Sequence, residues 1–272
     1  MGNLCDKSIH ISVLLIVLCA GVLYGLIFYI LIDQEVGEDV SKNTTQPFLC
    51  KPTTVSLPKI ASLRRAMPVT SSIKQEEVNN LLVHGGRLTS SMCPAELASE
   101  KNQIMDELLN QPQIPSDYGD VMIELYRDKS QDVLTRDFAV QHIGLYAQTL
   151  ARRGEYDADA AESRKLRAAL FDAVGETRTI VAAAAFRALA DIAVFDPLVD
   201  ESRLDSLLAA CTADASSDPA SRAMAVQLCG ERRVRSSRPA LEAISGIPSI
   251  PAVLRLSARR ALALIDGKEL AQ

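Results

Sequence analysis

The sequence predicts an all-α protein in which an N-terminal transmembrane helix, an irregular linker and a domain of paired helices follow one another. Three features support this order: an uncharged apolar run, a proline-rich region, and a C-terminal part with helical periodicity between short breakers. Of the 272 residues, 48% are hydrophobic but only 4% are aromatic. A core so poor in aromatic residues suits close-packed helices better than a β-sandwich.

The first predicted element is a transmembrane helix at residues 9–32, preceded by a short tail at residues 1–8. The run from Ile9 to Ile32 contains no Asp, Glu, Lys or Arg. At 1.5 Å per residue it spans roughly 36 Å, which exceeds the ~30 Å hydrocarbon core of a bilayer. A cleaved signal peptide is the alternative, but its apolar region usually has only ~7–15 residues. We therefore expect an uncleaved single-pass anchor.

The flanks and the small residues of this span indicate its orientation and contacts. Lys7 and the N-terminal amine precede the span, which places the C-terminal domain on the non-cytoplasmic side. Gly21 and Gly25 lie four residues apart on one helix face, where glycines let two backbones approach closely. This pair predicts a homodimer through the membrane helix. The alternative is that the two glycines reflect only the general frequency of small residues in such helices.

Residues 33–92 are predicted to form a largely irregular linker. Four prolines recur without a sustained helical period: Pro47, Pro52, Pro58 and Pro68. Cys50 and Cys93 would be able to form a disulfide if this region faces an oxidising compartment, and their spacing leaves that question open.

Residues 93–272 are predicted to form the helical-repeat domain. Residues 94–109 open it, with Pro94 in the first turn, where the missing N–H costs nothing. Asp218 before Pro219 and Ser237 before Arg238-Pro239 predict two further helix starts, with the Asp or Ser as the cap. Cys211 and Cys229 fall within helical patterns, where we expect them to be small buried residues.

Four segments of this domain repeat one motif, at residues 136–143, 182–189, 222–229 and 255–262. Each carries Ala at its fourth position and an apolar residue at its eighth, and three of the four begin with Arg. The alanines are Ala139, Ala185, Ala225 and Ala258, separated by 46, 40 and 33 residues. The spacing of four places the alanine and the apolar residue on one helix face. The small alanine there lets a neighbouring helix pack closely.

This Arg-x-x-Ala-x-x-x-Leu pattern resembles the second helix of the HEAT-repeat family, over roughly residues 130–266. The second copy departs from the pattern, because Ala182 stands in the place of Arg, and the spacing of the copies is irregular. The resemblance implies a HEAT-like α-solenoid, an architecture used mostly for protein–protein binding or scaffolding. A generic bundle of amphipathic helices is the alternative.

The sequence carries no motif of a known catalytic or cofactor-binding type. It lacks HExxH, GxGxxG, GxSxG, a phosphate-binding loop and CxxC, and it contains only three histidines. We therefore expect no enzymatic activity, no cofactor and no bound metal. The net charge of -5 excludes a globally basic nucleic-acid binder.

The charges are unevenly distributed along the helical domain. Residues 95–213 contain 21 acidic and 12 basic residues, whereas residues 214–272 contain 6 acidic and 9 basic ones. The basic residues that we single out are Arg232, Arg233, Arg235, Arg238, Arg259 and Arg260. They predict a docking patch for an acidic partner or for phosphate groups. The alternative is an ordinary solvated face.

Taken together, these features predict a membrane-anchored interaction or scaffolding module that contacts the lipid bilayer and an unknown protein partner. Two alternatives come from other classes. One is an enzyme or enzyme-accessory subunit, since some HEAT-like proteins act in lyase complexes. The other is a structural role in which the solenoid packs against a neighbouring membrane protein.

Overall fold

A computed structural model describes residues 93–267, and within this part of the chain the structure is entirely helical. The nine α-helices are α1 (Pro94–Leu109), α2 (Tyr118–Arg127), α3 (Val133–Arg153), α4 (Ala161–Val174), α5 (Val181–Ile192), α6 (Glu201–Ala213), α7 (Pro219–Glu231), α8 (Arg238–Gly246) and α9 (Ala252–Ile265). A 3-10 turn, Arg235–Ser237, precedes α8. The predicted all-α class is confirmed for these residues.

The helices after α1 form four consecutive pairs: α2 with α3, α4 with α5, α6 with α7 and α8 with α9. The second helices of the pairs (α3, α5, α7 and α9) contact one another in this order and form a continuous row, which we call the B row. Helix α1 packs against α3 at the N-terminal end of this row. Such serial stacking of helical pairs is consistent with an α-solenoid-like fold.

The four alanines of the repeated motif lie on the four helices of the B row, and none of them exposes any surface. The apolar residues four positions later, Ile143, Leu189 and Cys229, are also fully buried, and Leu262 is half-buried. Cys211 is buried as well, as expected. The motif therefore marks the face through which the B helices pack.

Two glycines bring neighbouring B helices to backbone contact. A Cβ atom at Gly144 of α3 would lie 2.6 Å from the Cβ of Ala188 in α5. A Cβ at Gly230 of α7 would lie 2.6 Å from the Cα of Ala261 in α9. In both cases the glycine follows its motif alanine by five residues, and the contacted alanine follows its own by three. Equivalent positions thus make equivalent contacts in two steps of the row.

The helix starts test the predicted caps. Helix α1 begins at Pro94, and α7 begins at Pro219 with the Asp218 carboxylate accepting from the N–H groups of Ala220 and Ser221, as predicted. Helix α8 begins at Arg238, directly after Ser237, as predicted, but the predicted capping by the Ser237 side chain is wrong, because its hydroxyl donates to the Val234 carbonyl at 2.7 Å. The reason is that the 3-10 turn runs directly into α8, which makes Ser237 part of that turn and not a separate cap.

The predicted anchor at residues 9–32 and the predicted linker at residues 33–92 lie outside the described part of the chain. The same holds for Gly21, Gly25 and Cys50. Between residues 93 and 267, no helix is both long enough and apolar enough to cross a bilayer.

Candidate partner-binding surface

In two of the four B helices, α3 and α7, the arginine that opens the repeated motif binds the end of the preceding helix. The Arg136 Nε–H donates to the Tyr126 carbonyl at 2.8 Å, and the Arg222 Nε–H donates to the Thr212 carbonyl at 3.0 Å. Both carbonyls lie ten residues before their arginine, near the C-terminal ends of α2 and α6, where helix carbonyls lack intrahelical partners. The sequence showed the recurrence of this arginine but not its structural role.

Arg136 has a second partner that comes from the next helical pair. Its Nη2 donates to both carboxylate oxygens of Glu176 at 2.7 Å, and only 8% of the Arg136 side chain is exposed. Glu176 lies between α4 and α5 and also accepts from the Tyr126 hydroxyl and from Lys129. A carboxylate from the second helical pair therefore satisfies hydrogen-bond donors of an arginine in the first pair.

The last pair departs from this pattern at Arg255. The carbonyl ten residues earlier belongs to Ser245, and it accepts from Arg259 at 3.5 Å. The Nε of Arg255 is buried and has no hydrogen-bond partner, and it is the single atom among the described side chains in this condition. The last motif arginine therefore lacks both the carbonyl and the carboxylate that Arg136 has.

Arg259 shows a second departure in the same helix. The three equivalent residues, each one position after the motif alanine, are Val140, Phe186 and Val226, and all are fully buried. Arg259 is exposed. Since Arg255 and Arg259 lie four residues apart, they share one side of α9. With Leu256, whose exposed fraction is 68%, they form what we call the end face.

Some arginines of the predicted basic patch are paired with carboxylates of the domain, and others are not. Arg232 donates to Asp205 at 2.6 Å and to Glu201 at 2.9 Å, and its side chain is 14% exposed. Arg238 pairs with Glu242 and Asp266. These two guanidinium groups are neutralised within the domain, so their contribution to an external electrostatic field is small.

Three further arginines of the predicted patch, Arg233, Arg235 and Arg260, are exposed, and no described residue forms a hydrogen bond or an ion pair with their side chains. Arg233 has a positive φ of 55° in the turn after α7, and Arg235 belongs to the 3-10 turn. Arg260 adjoins Ala261, which packs on Gly230 near the end of α7. The structure thus brings Arg260 to the end of the helix from which this turn departs.

Arginines without any bonding partner are concentrated at this end of the domain. Every lysine and arginine from residue 93 to residue 232 has a hydrogen-bond, ion-pair, aromatic or electrostatic partner. Within the described residues, the arginines without one are Arg233, Arg235, Arg255 and Arg260. All four therefore lie in the last helical pair or in the turn that leads to it.

A scan against protein-family models and searches of curated proteins and solved structures returned no match for this chain.

A polar ladder runs across the exposed side of the B row. Gln148 of α3 donates to Asp191 of α5, Arg187 bridges Asp191 and Glu231 of α7, and Gln227 donates to Glu231. Each charge in this ladder is matched by a neighbour. The side chains of this ladder are therefore less available to bind an external ligand than the arginines near α9 are.

Asp137 lies near the start of the same exposed side. Burial raises the pKa of its carboxyl to about 6; the hydrogen bond from Gln141 opposes the rise, and the nearby Asp218 carboxylate adds to it. No arginine or lysine pairs with Asp137 among the described residues. This carboxyl therefore titrates near pH 6, and no sequence motif had pointed to it.

The one histidine of the described residues, His142, is held in the core between α1, α2 and α3. Its Nδ1 lies 2.7 Å from the Tyr118 hydroxyl and its Nε2 lies 3.1 Å from Asn102 Oδ1. Since that amide oxygen can only accept, Nε2 carries the proton and Nδ1 accepts from the tyrosine. Burial lowers the pKa of His142 to about 4. The imidazole is 1% exposed, which leaves it to packing and not to contact with a ligand.

A second buried polar group joins two helical pairs. The Asp196 carboxylate, fully buried after α5, accepts from Arg167 of α4 and from the Tyr156 hydroxyl, each at 2.5 Å.

Within residues 93–267, no group of three or more His, Cys, Asp or Glu side chains is placed to hold a metal ion. The feature best suited to bind another molecule is therefore the unpaired cationic surface at the C-terminal end of the stack.

Proposed function

We propose that this protein is a membrane-anchored interaction or scaffolding module whose HEAT-like helical domain docks an acidic protein partner. One observation carries the proposal: arginines without an internal partner are concentrated in the last helical pair and its turn, whereas the preceding basic residues are engaged. An unpaired guanidinium group is a strong donor to carboxylates. Its preferred ligand is therefore an acidic side chain.

The HEAT-like part of the proposal is supported by the way in which the repeats stack. The motif alanines are buried along one row of helices, and Arg136 and Arg222 bind equivalent carbonyls of the preceding helices. Equivalent residues with equivalent contacts are expected of a repeat architecture and not of a generic bundle. In this proposal residues 9–32 supply the anchor, and the alternatives drawn from other function classes have no comparable support.

The strength of such a surface depends on several arginines acting together. One exposed ion pair contributes only about 0–1 kcal/mol, because water and salt screen it. Arg233, Arg235 and Arg260 together would accelerate encounter with an acidic surface and make binding sensitive to ionic strength. We therefore expect affinity for the partner to fall as salt concentration rises.

The experiment is chemical crosslinking of the full chain in intact membranes, with identification of the captured protein and a salt titration. In the charge-reversal variant, Arg233, Arg235 and Arg260 are changed to Glu. Arg232 is left unchanged because it is held by Asp205 and Glu201, and its reversal would disturb the fold. The variant should lose most of the capture and most of its dependence on salt.

The matched control reverses three exposed arginines that lie outside the surface and form no ion pair, Arg152, Arg164 and Arg178. It changes the net charge by the same amount, and we expect it to capture the partner as the wild type does. Equal capture and equal salt dependence of the wild type and the Arg233/Arg235/Arg260 variant would contradict the proposed function.

A further inference from the structure

We propose that the end face binds a carboxylate of an acidic partner segment through Arg255, in the manner in which Arg136 binds Glu176 within the domain. The inference rests on the proposed function and assigns the central contact to a residue that the sequence did not single out. The end face comprises Arg255, Leu256 and Arg259 of α9.

The first pair provides an internal template for this site. At Arg136, the guanidinium group receives a carboxylate from the loop of the next helical pair, with both oxygens at 2.7 Å from Nη2. Arg255 occupies the same position of the motif, three residues before its buried alanine. Among the described residues, none supplies such a carboxylate to Arg255. A partner is left to supply it.

The buried Nε atom of Arg255 sets this residue apart from the other motif arginines. A partner's carboxylate would bind at the terminal Nη atoms, as Glu176 does at Arg136, because the Nε atom itself is buried. In Arg136 and Arg222 the same atom is satisfied by a main-chain carbonyl. At Arg255 the corresponding Ser245 carbonyl is 3.5 Å from Arg259, which leaves Arg255 with its full set of donors. A planar guanidinium with all its donors free favours bidentate binding of a carboxylate.

The chemistry of the end face selects an acidic occupant over an apolar helix. Val140, Phe186 and Val226 bury apolar surface between successive B helices, whereas Arg259 places a charge at the same position. An apolar helix stacked there would bury that charge without a partner, at a large cost. A segment that presents Asp or Glu would pair with Arg255 and Arg259, while an adjacent apolar side chain covers Leu256.

A twofold contact between two end faces is disfavoured by the same charges. Such a dimer would place Arg255 and Arg259 of one copy against the same residues of the other, and like charges repel across an interface. The occupant that the charges favour is therefore an acidic segment of another protein.

The test uses the full chain in detergent micelles and a fluorescently labelled synthetic helical peptide of Glu, Leu and Ala as the probe. Binding is measured by fluorescence anisotropy at low and at moderate salt. We expect Arg255→Gln to weaken binding of the peptide about tenfold, which corresponds to the loss of one charge-assisted pair. Arg255→Lys should restore only part of it, because an ammonium group cannot bind a carboxylate in the bidentate manner.

The matched controls separate the site from general charge effects. Arg235→Gln removes the same charge from the nearby turn and should change affinity about twofold or less, as an exposed arginine does. A peptide with Gln in place of Glu should bind at least about tenfold more weakly. A nitrogen-15 shift of the Arg255 guanidinium signals on addition of the Glu peptide would report the contact. The Arg255 side chain has no hydrogen bond to a described residue, so we expect the variants to keep their helical content.

Three results would overturn this inference. If the wild type and Arg255→Gln bind the Glu peptide with equal affinity, Arg255 does not take part in binding. If the wild type does not bind the Glu peptide at all, the proposed site does not exist. Self-association that is abolished by Arg255→Gln would assign the end face to a second copy of the chain. The proposed function survives the first two results if charge reversal of Arg233, Arg235 and Arg260 still abolishes capture in membranes.

Discussion

Three arginines that share one position of the repeated motif differ in their surroundings. Arg136 binds a carbonyl and a carboxylate, Arg222 binds a carbonyl, and Arg255 binds neither. A buried guanidinium is stabilising only when its donors are satisfied, because its desolvation is otherwise uncompensated. The residue type is therefore the same at the three positions, while its energetic contribution depends on what the neighbouring pair supplies.

We expect replacement of these arginines by alanine to have graded effects on stability. Arg136→Ala removes one partner of a largely buried ion pair and should destabilise the fold by roughly 3 kcal/mol. Arg222→Ala loses one carbonyl contact and should cost about 1–2 kcal/mol. Arg255→Ala serves as the control and should change stability by less than about 0.5 kcal/mol. Thermal unfolding followed by circular dichroism measures all three, and equal losses at the three positions would refute the assigned roles.

Two buried titratable groups have opposite effects on the pH dependence of stability. The pKa of His142 is lowered from 6.5 to about 4, so the folded state resists a proton that the unfolded state binds. The pKa of Asp137 is raised from 3.8 to about 6, so the folded state holds a proton that the unfolded state releases. Between about pH 4 and pH 6 these two contributions nearly cancel, because unfolding then moves a proton from Asp137 to His142.

The variant Asp137→Asn should reveal the His142 contribution. Without the aspartate, unfolding takes up about one proton, so stability should fall as pH falls from about 6.5 to about 4. The expected slope exceeds that of the wild type by about 1.4 kcal/mol per pH unit between pH 4 and 6. Urea unfolding at a series of pH values measures it. Glu124→Gln, at an exposed carboxylate, is the control and should leave the slope unchanged. Identical slopes for the wild type and Asp137→Asn would contradict the assignment.

At the scale of helices, the B row is organised by small residues. The motif alanines are fully buried, and Gly144 and Gly230 meet Ala188 and Ala261 at backbone distance. Glycine within a helix costs about 1 kcal/mol of propensity relative to alanine. Here the cost is offset by the close approach of two helices, which a Cβ atom would prevent.

We expect Gly144→Ala and Gly230→Ala to destabilise the domain despite the gain in helix propensity. The added methyl group would force neighbouring helices apart, with a net cost of roughly 1–3 kcal/mol. Gly246→Ala is the matched control, because a Cβ there meets no atom within 4 Å. That variant should be neutral or slightly more stable. Melting temperatures of the three variants decide the matter, and a Gly144→Ala protein as stable as the Gly246→Ala protein would show that the row has room to adjust.

At the scale of the whole chain, the proposed function combines an apolar run at residues 9–32 with a domain whose charges are segregated. Residues 95–213 carry an excess of acidic side chains, and residues 214–272 an excess of basic ones. Within the described part of the chain, the unpaired arginines fall in the second region. The proposed anchor would hold this basic surface near a membrane, so its partner should be found at the same membrane.

We expect residues 9–32 to retain the mature chain in membranes through carbonate extraction, because an uncharged run of this length is stable in the hydrocarbon core. N-terminal sequencing of the extracted protein should find residues that precede Ile9. A variant with Leu15 and Leu26 changed to Arg should move to the soluble fraction, since each charge at depth in the bilayer is costly. A soluble wild-type chain that begins after residue 32 would show that the run is a cleaved signal peptide.

The amino-acid sequence was enough to predict the helical class of the described domain, the starts of α1, α7 and α8, and the four buried alanines of the B row. These follow from local physics: proline and aspartate set helix starts, and a small residue with an apolar one four positions later marks a packing face. The tertiary structure alone decided which arginines are free. Arg232 and Arg238 are matched by carboxylates that are distant in sequence, and Arg255 lacks the carboxylate that Arg136 receives from the next pair. The local sequence around an arginine does not determine its pairing. The carboxylate that pairs with it lies more than 20 residues away in the chain and comes close only when the helices stack.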